Sequence, residues 1–199
     1  MVRALHDLSD SEPLLSPRLE LEPLRPEHAD EMAPLLDDGE LHTFIGGGPA
    51  TREELLARYR RQAIGWSPDR AERWFNWVVR RRDLHHAVGF VQATVTVKED
   101  RLTATVAWVI GSAYQRRGYA TESAHRILAW LKGQEVEVVA ACIHPEHHAS
   151  IAVARAIGLK PTGILIDGET LWTNWTPLRA AAAGLADFVA SGPGEVLTS

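Results

Sequence analysis

Only one cysteine, Cys142, occurs in 199 residues, so no disulfide can form within the chain and the fold must be held by packing alone. Such sparing use fits a reducing compartment, and the cytoplasm is the expected location. No apolar run reaches the length of a membrane span, and the first residues, through His6, Asp7, Asp10 and Glu12, lack the apolar centre of a signal peptide. A net charge of −5 leaves little positive charge for a nucleic acid or an anionic membrane, and neither is an expected partner. The sequence also lacks Gly-x-x-x-x-Gly-Lys-Ser/Thr and a Rossmann glycine triplet, which argues against ATP and dinucleotides. His144, Glu146, His147 and His148 have no cysteine pair to complete them and lie in a proline-containing turn, so no metal is expected. His85 and His86 read as a solvated turn.

What is present is ample material for one core: 45% of residues are hydrophobic and 24% charged. The expected division is an N-terminal tail over 1–17, a single domain over 18–178, and a C-terminal appendage or disordered tail over 179–199. Leu19, Leu21 and Leu24 alternate with polar positions as in a half-buried strand, and Pro26 starts a helix that Pro34 bends or ends. After the glycine run Gly46 to Gly48, Thr51 and Glu54 have the spacing of a capping box, with Leu55, Leu56 and Tyr59 as the apolar side of a second helix. Runs over 74–79, 88–97 and 102–110 are rich in β-branched and aromatic residues and read as successive antiparallel strands, with Glu99-Asp100 as a turn.

From Tyr119 to Lys132, apolar residues recur at helical spacing, and Val136 to Ile143 reads as a buried strand, so this stretch forms a βαβ unit with a parallel strand pair. A short helix over 149–157 and a hairpin around Asp167-Gly168-Glu169 complete the order β-α-α-β-β-β-α-β-α-β-β. The fold class is α/β (α+β), a mixed, mostly antiparallel twisted sheet flanked by helices.

Gln115-Arg116-Arg117-Gly118-Tyr119-Ala120 joins a strand to a helix start. Backbone N–H groups at a helix N-terminus lack intrahelical partners and carry partial positive charge, so a diphosphate can supply the missing acceptors. Gly118 allows close backbone approach, and Arg116 and Arg117 add cationic donors. The plain alternative is an exposed polar turn capped by glycine.

The hexapeptide resembles the Q/R-x-x-G-x-G/A signature of the GNAT superfamily of N-acetyltransferases, and the element order resembles the GNAT fold from Arg18 to Trp175. With Arg18-Leu19, Leu24-Arg25-Pro26, Pro145 to Ser150 and Gly158-Leu159, the chain is most similar to the ribosomal-protein N-terminal acetyltransferase (RimJ/RimL-type) branch. The resemblance implies that acetyl-CoA is the cosubstrate, bound by Trp108, Val109, Ile110, Gln115, Arg116, Arg117, Gly118, Tyr119, Ala120, Thr121, His147 and Ser150. A backbone N–H near Val109 or Ile110 is then the expected oxyanion donor. It also implies an amine acceptor, either a peptide N-terminus or a small molecule such as a polyamine, an amino sugar or an amino acid, and a monomer or homodimer.

Ser150 stands where that branch has a serine near the coenzyme sulfur and is the candidate general acid; helix capping is the other reading of the same residue. Many relatives use a tyrosine further along this helix, where Ala154 stands here. His147 replaces the family's asparagine, and His147 or His144 is the candidate base. Phe44, Ile45 and Trp66 are the candidate acceptor pocket. The alternative to catalysis is a non-catalytic acyl-CoA-binding sensor or regulatory protein.

Overall fold

The structure is a computed structural model that describes residues 4–45 and 48–175. The appendage expected over 179–199 lies outside the described residues, as do Gly46 and Gly47 of the glycine run. Eight strands form one sheet in the order β1-β2-β3-β4-β5-β6-β8-β7. They are β1 (Leu14–Leu15), β2 (Leu19–Pro23), β3 (Arg73–Arg81), β4 (Ala87–Lys98), β5 (Arg101–Ile110), β6 (Val138–Ile143), β7 (Lys160–Ile166) and β8 (Glu169–Thr173). All neighbours pair antiparallel except β5 and β6, the parallel pair that the helical crossover requires. The helices are α1 (Ala29–Leu36), α2 (Gly39–Ile45), α3 (Arg52–Gln62), α4 (Tyr119–Gly133) and α5 (His148–Ala156).

Two-residue alternation along each strand gives the sheet two faces. On one, Phe75, Trp77, Val91, Ala93, Ala104, Val106 and Val139 form the main core with Ala124, Ile127, Trp130 and Leu131 of α4. Phe75, Trp77 and Trp130 make edge and stacked ring contacts there, with centroids 4.7 to 6.2 Å apart. On the other, Val78 and Val109 pack beneath Met32 and Leu36 of α1 and Leu55 and Tyr59 of α3.

Local chemistry explains most boundaries. The Thr51 hydroxyl accepts from the Glu54 N–H and the Glu54 carboxylate accepts from the Thr51 N–H, the reciprocal cap that starts α3. Pro26 opens a 3-10 turn that runs into α1, and Pro34 lies within α1, which continues two residues further before ending at Leu36. Asp167 and Gly168, with φ of 50° and 85°, form the two-residue turn between β7 and β8.

Three features go beyond the sequence pattern. The segment ahead of Arg18, read as a tail, buries Leu8 and Leu14 and supplies β1, which pairs Leu14 with Leu21. Helix α2 has no place in the element order expected from the sequence; the Asp38 carboxylate accepts from the Glu40 N–H at its start. Arg80 binds Glu22 and Glu31 together, tying β3 to β2 and α1 over a buried His28.

Candidate active site

Strands β5 and β6 part company early. They pair only at Thr103–Thr105 against Val138–Ala140, although β5 stays paired with β4 through Ile110 and β6 with β8 through Ile143. A wedge therefore opens between the C-terminal halves of two parallel strands. The Gly111 N–H donates to the Val88 carbonyl, so alternation turns the backbone groups of Val109 toward β4 and those of Trp108 and Ile110 toward the wedge. Val109 thus meets the wedge through neighbours rather than its own N–H. At the same level a Cβ on Gly89 would come within 2.0 Å of the Val109 carbonyl oxygen, so only glycine lets β4 lie this close to β5.

Helix α4 begins at the mouth of the wedge. Gly118 occupies the N-cap with φ 77° and ψ 8°, and no side chain caps the helix. The first turn, Tyr119 to Thr121, therefore presents backbone N–H groups outward, with Arg116 and Arg117 exposed beside them. Among the described residues Arg116 has no hydrogen-bond or ion-pair partner. Gln115, though exposed, folds back on the strand, its Nε2 donating to the Ile110 carbonyl at 3.0 Å, so it braces the loop on the last residue of β5.

A second brace comes from Arg18, just ahead of β2. Its Nη1 donates to the Arg117 carbonyl at 2.9 Å, its Nε and Nη2 meet the Glu122 carboxylate at 2.7 Å, and its guanidinium lies 4.9 Å from the Tyr119 ring centroid. Burial pushes the Glu122 carboxyl up, but the Arg18 N–H, the Ser16 hydroxyl and the Arg18 guanidinium outweigh it and hold that carboxyl below its ordinary value.

Across the wedge, β6 runs into the turn that starts α5. His147 is the N-cap of α5, and Ser150, half-buried, lies in its first turn with no hydrogen-bond partner among the described residues. Capping is therefore not what Ser150 does. Phe44 at the end of α2 stacks on His147, centroids 4.4 Å apart at 13°, and lies 5.5 Å from His144. Burial, then the neighbouring His144 and His148, lower the proton affinity of His147. The Glu146 N–H donates to His144 Nδ1 at 3.2 Å.

One acidic residue joins this group that the sequence alone had assigned to a hairpin. Ile143 pairs with Thr170, which brings Glu169, the first residue of β8, beside His144. Burial raises the Glu169 carboxyl above its ordinary value; His144 opposes the rise and Asp167 adds to it. The visible signal was an acidic residue just past a two-residue turn, but its neighbour follows from strand register. Trp66 lies elsewhere. It bridges to Arg73 at the far end of β3, and Arg73 and Arg70 lie over its ring at 4.7 and 5.7 Å. Ile45 closes α2 beside Phe44.

The lone thiol is not poised to react: burial, with Glu169 and Asp167, pushes Cys142 up to about 12. Among the described residues no group of three or more His, Cys, Asp or Glu could hold a metal ion, and no helix is long and apolar enough to cross a membrane.

An uncapped helix start beside a wedge between parallel strands, with a serine across it, is the arrangement of an acyltransferase built around a phosphate-bearing donor. Residues 18–160 match the family described as acetyltransferase (GNAT) domain, and the chain belongs to that family. No curated protein matches the sequence. Similar solved structures include a ribosomal-protein-serine acetyltransferase, so described provisionally, from Vibrio cholerae, with 18% identity over 85% of this chain and 100% of that one and a TM-score of 0.66. A Salmonella typhimurium acetyltransferase that modifies the N-terminal serine of ribosomal protein L7/L12 is 13% identical over 83% of this chain and 100% of that one, TM-score 0.67. The microcin C7 self-immunity acetyltransferase MccE, solved with acetyl-CoA and AMP, is 12% identical over 79% and 92%, TM-score 0.64. At these identities the likeness is one of fold.

Proposed function

We propose that this chain transfers the acetyl group of acetyl-CoA to a primary amine by direct attack within a ternary complex. The observation that carries the proposal is the early parting of β5 and β6 beside the uncapped start of α4. The donor's diphosphate fits the N–H groups of Gly118 to Thr121 with Arg116 and Arg117, and its amide-bearing arm fits the free edge of β5 at Trp108 and Ile110 as an added strand would. Acetyl-CoA supplies an activated thioester, whose carbonyl oxygen gains negative charge as the amine attacks. A backbone N–H on the wedge side of β5, that of Ile110, is positioned to stabilise that charge.

The amine must arrive neutral. Glu169, its proton affinity raised by burial, and His147, kept neutral at pH 7 by its lowered affinity, stand on the β6 side to take the proton. The partnerless Ser150 hydroxyl supplies a proton or a hydrogen bond to the departing thiolate. Peptide N-termini head the acceptors, with small amines behind; the ribosomal-protein relatives support that order.

Incubation of a cell extract with labelled acetyl-CoA, comparing the native chain with Ser150→Ala and Glu169→Gln, tests the proposal. Labelled amines that appear with the native chain and fade with both variants are expected. Full activity in Ser150→Ala removes Ser150 from the mechanism, and tight coenzyme binding with no labelled amine removes transferase activity.

A further inference from the structure

Val139 and Ala141 of β6 and Trp172 of β8 belong to the main core together with Val153 and Ala154 of α5. Alternation turns Ala140, Cys142 and Leu171 to the opposite side of the sheet, where with Ile164, Ile166 and Trp175 they form a separate apolar cluster to which no described helix belongs. Register extends this face onto β5, since Thr103 pairs with Val138 and Thr105 with Ala140. Ala140 and Leu171 are fully enclosed, and Thr103 and Thr173 are 4% and 2% exposed. Strand neighbours shield a side chain from its flanks but not from above, so this enclosure calls for a covering layer. The Thr173 hydroxyl donates to the Val139 carbonyl at 2.9 Å, which leaves its methyl group to the face and makes the surface there apolar in effect.

The described residues end on this same face. Trp175 is part of the cluster, and its ring centroid lies 5.6 Å from the guanidinium of Arg101 at the start of β5. The sequence that follows has the pattern of an amphipathic helix. Thr176 is an N-cap residue type, Pro177 suits the first helical position, and Gly192-Pro193 is a stop. Between them Leu178, Ala181, Ala182, Leu185, Phe188 and Val189 recur at three- and four-residue spacing and fall on one side, with Arg179, Ala183 and Asp187 opposite.

We propose that residues 177–190 form a helix that lies on this face and closes it, with Leu178, Leu185, Phe188 and Val189 turned toward Ala140, Cys142 and Leu171. Size, continuity and chemistry agree. A helix of that length is about 21 Å long and about 10 Å wide, and the axes of β5, β6 and β8 span about 10 Å. Trp175 delivers the chain to the face, and Thr176 alone separates it from the helix start. Ala181 and Ala182 match the small side chains of Thr103, Thr105 and Ala140, so the helix can sit close, and burial of its four large apolar residues offsets the ordering of the segment. Strand β6 is also the one that borders the wedge, so the helix supports that side of the site. A second copy of the chain is the rival occupant.

Cys142, the sole thiol, lies on this face and reports on its cover. In the full chain, Leu185→Asp is expected to speed the labelling of Cys142 by iodoacetamide about tenfold or more, because the charge expels the helix, and to lower the urea midpoint. Ala183→Asp, on the opposite side of the helix, is expected to leave both near their native values. A short bismaleimide separates docking from general loosening. With Leu185→Cys it is expected to join that position to Cys142 within one chain, mapped by mass spectrometry, and with Ala183→Cys it is expected to fail. Links between chains would give the face to a second copy and overturn the proposal. Equal labelling in the native, Leu185→Asp and Ala183→Asp proteins, or no link within the chain from Leu185→Cys, would overturn it as well.

Discussion

Arg18 holds the carbonyl of Arg117 from a position 99 residues earlier in the chain, with a 2.9 Å hydrogen bond from Nη1, while its other nitrogens grip Glu122. The loop ahead of α4 is thereby fixed from outside itself, by the turn between β1 and β2. Arg18→Ala is expected to weaken acetyl-CoA binding by about tenfold, the value of one charge-assisted hydrogen bond, while leaving the acceptor KM unchanged. Calorimetry for the coenzyme and steady-state kinetics for the amine check the two halves. A rise in acceptor KM alone would contradict the assignment.

Gly118 adopts φ 77°, where an L-residue is strained by about 1–2 kcal/mol, and a Cβ there would stand 3.4 Å from Arg18 Nη2. Gly118→Asp adds that strain and sets a negative charge where the diphosphate is expected. Coenzyme binding is predicted to fall by about a hundredfold or more, with Gly118→Ala intermediate. Undiminished binding in the aspartate variant would remove the diphosphate from α4.

Partial burial, with Asp167 nearby, raises the Glu169 carboxyl above its ordinary value. As a base it works when ionised, so kcat is expected to rise with pH across a limb displaced upward from that value. Glu169→Gln is expected to abolish this limb and lower kcat by about a hundredfold. A pH profile identical to the native one would exclude it.

His147 has the opposite linkage. Its proton affinity is lowered in the fold, so the unfolded chain binds the extra proton, and stability rises with pH between the lowered value and the ordinary histidine value of 6.5. Acidification through that window is expected to destabilise the protein, and His147→Asn to flatten that part of the curve. Urea midpoints measured at successive pH values on both proteins give the comparison.

Arg80 serves stability and not chemistry. Removing it strands Glu22 and Glu31 beside buried His28, and Arg80→Ala is expected to cost about 3 kcal/mol by urea denaturation, with acetyl-CoA affinity retained.

The sequence pattern was informative wherever a feature is local. The Thr51–Glu54 cap, the β-branched runs of β3 to β5 and the turn at Asp167-Gly168 depend on neighbours a few residues away, and each stands where the pattern put it. The Gly118 turn likewise lies at the start of its helix. What the pattern missed is long-range. A two-residue strand such as β1 has too few positions for periodicity and exists because Leu21 is opposite Leu14. Glu169 meets His144 through the pairing of β6 with β8, and Gln115 faces Ile110 through the fold of the loop, so neither orientation is written in spacing. Trp66 was set with Phe44 by composition, yet Arg73 and Arg70 take its ring and Phe44 finds His147.

The parted strands bear on thermodynamics as much as on geometry. Because β6 turns to β8 while Gly89 lets β4 press against β5, the slot between β5 and β6 stands open in the protein alone. A ligand that pairs with β5 there breaks no strand ladder, so its interaction energy appears as affinity instead of being consumed in prying the sheet apart. Entry is then expected to be a single fast step whose rate scales with ligand concentration and shows no plateau.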